Sequence, residues 1–126
     1  MLWSSSQAAG MLAGMTYEEL LAVCLRLPGA WRDTPWKEEL VVKAGPKISA
    51  FPSGDAVSVK VEPASGEALR ATYPDAVDVP PYLNKRLWVR VRLDGTVPDE
   101  ELAELVQESY RLVVKGLTKA QRTALE

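Results

Sequence analysis

An α+β domain in two layers, in the order α-β-β-β-α-β-β-α with an antiparallel sheet covered by helices on one face, is the fold class this sequence predicts. From Leu40 to Leu93 short runs alternate apolar and polar residues with a period of two, so a sheet built from them hides one face and opens the other. Turn residues separate the early runs closely enough to make a meander. Apolar stripes at helical spacing lie before, between and after the strands, and economy places them all on the hidden face.

Residues 1–14 are small and uncharged, with neither the basic start nor the apolar run of a signal peptide; they read as a disordered leader, or as an extension ahead of a start at Met15 rather than Met1. Thr16 stands three residues before Glu19, the spacing at which side chains satisfy two unpaired N–H groups at a helix start. Leu20, Leu21, Cys24, Leu25 and Leu27 give that helix an apolar side, and Pro28-Gly29 stops it. Trp31 and Trp36 flank Pro35 in what reads as a loop sealing the sheet edge. Three strands follow: Leu40 and Val42 alternate with Val41 and Lys43, Ile48 and Ala50 with Ser49 and Phe51, and Val57, Val59 and Val61 with Ser58, Lys60 and Glu62. A short helix over 63–73 carries Ala68, Leu69 and Tyr73 and is weakened by Gly66.

Val77 and Val79 suggest a brief strand before Pro80-Pro81. Leu87, Val89, Val91 and Leu93 define a longer one ending at Asp94-Gly95. Pro98 suits the first position of a helix, and Asp99, Glu100 and Glu101 complement its positive end. Leu102, Leu105, Val106, Ser109, Leu112 and Val113 form its buried stripe, and Gly116 ends it. Thr118 and Gln121 repeat the capping spacing, so 118–126 form a short terminal helix or tail behind a domain spanning 15–117.

Composition narrows function mainly by exclusion. A 47% hydrophobic, 25% charged chain is neither disordered nor membrane-spanning. The lone Cys24 forms no internal disulfide and reads as a buried thiol, so a reducing, cytoplasmic compartment is expected. The absence of histidine removes Ser-His and Cys-His pairs and imidazole-held metals. Neighbouring acids such as Glu38-Glu39 and Glu100-Glu101 point in different directions. No enzyme, cofactor or metal is expected.

What remains is a surface. Arg86, Trp88, Arg90 and Arg92 fall on the polar side of the last strand, beside Lys60 and Ser58 of another, so guanidinium groups for phosphate lie next to an indole for stacking. Lys85 joins that cluster, and Asn84 is either a base or phosphate contact or a residue capping the turn. The competing arrangement packs Trp88 away and pairs the arginines with carboxylates of the last helix. A net charge of −2 weighs against a dedicated DNA binder, but the charge is segregated: Lys85–Arg92 holds four cations and no anion, Asp99–Glu108 five anions and no cation.

The segment YLNKRLWVRVRLDG, followed by PDEEL and ESYRLVVKGL, resembles the MmcQ/YjbR family, and the opening MTYEELLAVCLRLPGA, Pro35-Trp36 and Tyr73-Pro74 agree with it. The resemblance runs from about Met15 to Leu117. It implies a fold similar to type III secretion chaperones and a DNA-binding role through a winged architecture; such a fold also permits a protein partner or self-association at the open sheet face or an edge strand. The family's usual histidines before Leu-Asn-Lys and before the tryptophan are Tyr82 and Leu87 here, while Asn84, Lys85, Arg86 and Trp88 match.

Overall fold

The computed structural model describes residues 14–126. The expected leader therefore lies, but for Gly14, outside the described residues. The elements are α1 (Tyr17–Leu25), β1 (Ala30–Trp36), β2 (Glu39–Ala44), β3 (Lys47–Ser53), β4 (Ala56–Lys60), α2 (Pro63–Thr72), β5 (Val77–Asp78), β6 (Trp88–Arg92), α3 (Asp99–Lys115) and α4 (Lys119–Thr123). The strands form one six-stranded sheet in the order β1-β2-β3-β4-β6-β5, antiparallel at every junction. The fold is the expected two-layer α+β class.

The meander has four strands rather than three. Residues 30–36, expected as a loop, form β1, pairing with β2 from Ala30↔Ala44 to Trp36↔Glu39. Pro35 sits where the β1–β2 register shifts between Asp33 and Trp36, on an edge strand, so its missing N–H costs no ladder bond. Its side chains are largely exposed, so the apolar alternation that marks the other strands is absent.

Val42, Ala50, Val57, Val59, Val89 and Val91 point to the covered face, against Leu20 and Cys24 of α1 and Leu102 and Val106 of α3. Burying each Val or Leu contributes roughly 1.5–3 kcal/mol, so this valine layer is the main stabilising term. Both capping boxes form, at Thr16/Glu19 and Thr118/Gln121. Gly66, which weakens α2 as a helix, lies close against the core: a Cβ there would lie 3.0 Å from Val61, tighter than most contacts, and 3.5 Å from Val89.

β3 changes partners along its length. Lys47 and Ile48 pair with β2, residues 51–53 pair with β4, and Ala50 alone pairs with both, with Val42 on one side and Val59 on the other. The sheet thus parts on both sides of Ala50, in opposite directions. Two buried serines supply hydrogen bonds where it parts. Ser109 of α3 accepts from the Lys60 N–H at 2.7 Å and donates to the Ser49 carbonyl at 2.7 Å, while the Ser49 hydroxyl donates to the Val42 carbonyl at 3.3 Å.

Candidate nucleic-acid interface

Register decides which expected site residues share a surface. Across β3, β4 and β6, Phe51 stands opposite Ser58 and Ser58 opposite Arg90, while Lys60 stands opposite Trp88 and Ala56 opposite Arg92. These residues alternate with the core valines and therefore lie on the face away from the helices, the open face of the sheet, although Ala56 and Ser58 are themselves buried there. Trp88 is partly buried; the Phe51 ring meets it edge-on, with centroids 5.3 Å apart.

Beside the Lys60–Trp88 pair, where β3 and β4 part, lies a recess of about 420 Å³ lined by Trp36, Phe51, Trp88, Lys43, Lys47 and Lys60, with Ile48, Val113, Pro35 and Pro46 completing the lining. Three ammonium groups and three aromatic rings line it without a carboxylate. Lys43 is committed elsewhere: its Nζ lies 2.7 Å from Asp33 and 5.4 Å from the Trp31 ring centre. Lys47 Nζ donates weakly to the Gly116 carbonyl at 3.4 Å. Lys60 makes no ion pair among the described residues.

The arginine row divides. Arg90 is locked to a carboxylate, its Nε and Nη2 donating to Asp78 at 2.9 and 2.8 Å. The partner is the residue opposite it on β5, not the last helix as the competing arrangement supposed, because the Asp78↔Arg90 register puts the two side chains on one face. This pair pulls the Asp78 carboxyl below its ordinary value, chiefly through the Arg90 hydrogen bonds, and raises Arg90. Arg86 lies outside β6, in the preceding turn, so it does not align along the strand. Asn84 builds that turn: its Oδ1 accepts from the Arg86 N–H at 2.9 Å and its carbonyl from the Leu87 and Trp88 N–H groups. That leaves Asn84, Lys85 and Arg86 exposed at the β6 entrance, with Arg92 exposed at its other end.

The structure adds residues that the strand patterns did not single out. Phe51 lines the recess from the point where β3 changes partners, and Trp36 reaches it from the edge strand, 56% exposed. Alternation placed Phe51 on the open face, but its position between two parted ladders depends on long-range register.

The YjbR family model matches residues 25–112. Two Escherichia coli sequences, from strain K12 and from O157:H7, each named uncharacterized protein YjbR, are 36% identical to it over 118 residues, covering 88% of this chain and 98% of theirs. The chain belongs to the YjbR family. A crystal structure of a Deinococcus radiodurans protein with the DUF419 domain superposes with a TM-score of 0.80 at 39% identity, over 92% of this chain and 90% of that one. A Pseudomonas syringae protein shares the fold at TM-score 0.58 and 20% identity, over 67% of this chain and 86% of that one. Among the described residues of this YjbR chain, no helix is long and apolar enough to cross a membrane, and no group of His, Cys, Asp and Glu is placed to hold a metal.

Proposed function

We propose that this protein binds single-stranded DNA on the open face of its sheet. The observation that carries the reading is the aromatic, carboxylate-free recess in which Lys60 stands directly across from Trp88. A base stacked on an exposed ring is worth ~1–3 kcal/mol, and the neighbouring ammonium groups suit the phosphates on either side of it. Lys85 and Arg86, exposed in the turn before β6, and Arg92, exposed at its far end, add positive charge beyond the recess. The acidic run that makes the whole chain negative belongs to α3, and none of its carboxylates lines the recess.

Anisotropy of a labelled oligothymidylate, titrated at several salt concentrations, tests this. With Lys60, Lys85, Arg86 and Arg92 each neutralising a phosphate, log K falls with log salt at a slope of about −3, taking ~0.7 per phosphate for single strands. Lys60→Glu with Lys85→Glu weakens binding at least about tenfold and flattens the slope, while Arg90→Ala, whose charge is already matched by Asp78, changes the slope little. Absence of binding at low salt ends the proposal, and a slope governed by Arg90 instead of Lys60 relocates the contact.

A further inference from the structure

A second, larger recess opens on the other side of Ala50, where the β2–β3 ladder ends at Val42↔Ala50. It has a volume of about 840 Å³ and shares Trp36 and Phe51 with the first, but its character is opposite. Tyr17, Tyr82, Pro52, Pro80 and Pro81 line it, and its charged residues are Glu38, Glu39 and Arg90. Since Asp78 already balances Arg90, the two glutamates set the charge of this groove, and it is acidic where its neighbour is basic.

The edge hairpin shows what those glutamates lack. Midway along β1, Trp31, Asp33 and Lys43 form a trio: the Lys43 ammonium sits over the Trp31 ring and against the Asp33 carboxylate. At the hairpin tip, Trp36 and Glu39 are direct cross-strand partners, with Glu38 beside them, so ring and carboxylates recur without a cation. Lys37 lies in the tip with φ of 66°, yet no ion pair among the described residues involves Glu38 or Glu39. A guanidinium from outside could stack on the Trp36 indole and pair with Glu39 at once.

The rest of the wall selects the backbone that carries this cation. Pro52, Pro80 and Pro81 are wall positions that offer no N–H donors to an extended peptide. A polyproline II segment asks for few, and its prolines pack against aromatic ridges. Tyr82 supplies such a ridge at a cost to the fold: it is 103% exposed and held at φ of 70°, a conformation bulky residues rarely adopt.

We infer that this groove binds a proline-rich peptide in the polyproline II conformation, with an arginine or lysine seated between Trp36 and Glu39. The site is separate from the proposed DNA recess, although the two share a wall.

A displayed peptide library with a fixed Pro-x-x-Pro core and randomised flanks, selected on the full chain, is the test. The expected result is enrichment of a basic residue at one fixed spacing from the prolines. Synthetic peptides of that sequence should lose about tenfold in affinity against Glu38→Lys/Glu39→Lys, and be unaffected by Lys60→Glu. Tyr82→Gly should also weaken binding while raising the urea midpoint, because glycine accepts the positive φ without strain. That opposite movement separates a binding role from a structural one. No enrichment, enrichment without a basic residue, indifference to the glutamate reversal, or self-association that buries Tyr82 would each overturn the inference. Loss of peptide binding in Lys60→Glu would do so too, by placing the peptide in the other recess.

Discussion

Replacing Ser109 by alanine tests the account of the parted sheet most directly. Its hydroxyl, fully buried, is the hinge of two bonds of 2.7 Å, one from the Lys60 N–H and one to the Ser49 carbonyl. Alanine leaves both backbone groups without a partner. An unmet buried group costs about 1–3 kcal/mol, and the Lys60 end, beside the recess, can recover part of that from water, so the net loss is about 2 kcal/mol. With a urea m-value near ~1.5 kcal/mol per molar, the midpoint falls by roughly 1.3 M at unchanged m. Ser65→Ala on the exposed side of α2 is the control, since alanine is the better helix former and should be neutral or slightly stabilising. Amide exchange at Lys60 should accelerate selectively in the Ser109 variant. A midpoint shift no larger than the control's, or unaltered exchange at Lys60, would show that α3 merely lies against the sheet and does not close the gap between β3 and β4.

Three further outcomes follow from the same geometry. Asp78 has a folded-state carboxyl value pulled below 3.8 by Arg90, so the pair's contribution is present above that value and is lost as pH falls through the lowered one. Both side chains are well exposed, so the term is at most about 0.5 kcal/mol, and between pH 5 and 2.5 wild type should lose slightly more stability than Asp78→Ala, with parallel curves refuting it. Burial pushes the Cys24 thiol up from 9.0 to about 12, so a thiol reagent near pH 8 should label it only as the domain unfolds, at a rate that rises with urea; rapid urea-independent labelling would contradict its place in the core. Gly29→Ala puts a Cβ at φ of 70° and 2.6 Å from the Leu125 side chain, and should lower stability by about 1–2 kcal/mol in urea melts, where a loss below the scatter of surface variants would mean that the C-terminal segment is not docked there.

The sequence showed most plainly those features that depend on neighbours a few residues apart. The capping boxes at Thr16 and Thr118, the buried stripe of α3 and the alternation of Val57, Val59, Val89 and Val91 are local patterns, and the structure contains them. Strand β1 was hidden because an edge strand need not alternate, and because its two-residue tip, Lys37-Glu38, lacks the Asn-Gly or Asp-Gly signature of tight hairpins. The fate of Arg90 was hidden for a different reason. Its partner sits on a two-residue strand whose register against β6 is a tertiary fact, so a row of arginines in the sequence became one paired residue, one strand-end residue and one in a turn.

Both recesses share Phe51, next to Ala50, the residue of β3 that is paired on both sides. Ala50 is fully buried at the point where β3 exchanges ladders, between Val42 and Val59. Beyond it on either side, backbone groups lose regular partners, and a continuous sheet would have kept those bonds. Ser49 and Ser109 restore part of the loss through side chains, and among the described residues no buried side-chain nitrogen or oxygen lacks a partner. In return, Phe51 stands between two openings, with ammonium groups on one side and carboxylates on the other. A flat six-stranded sheet with the same open-face residues would have closed both openings and left these groups on one featureless surface. The binding capacity proposed for this face therefore depends on the change of partners at Ala50 as much as on the identity of any residue lining it.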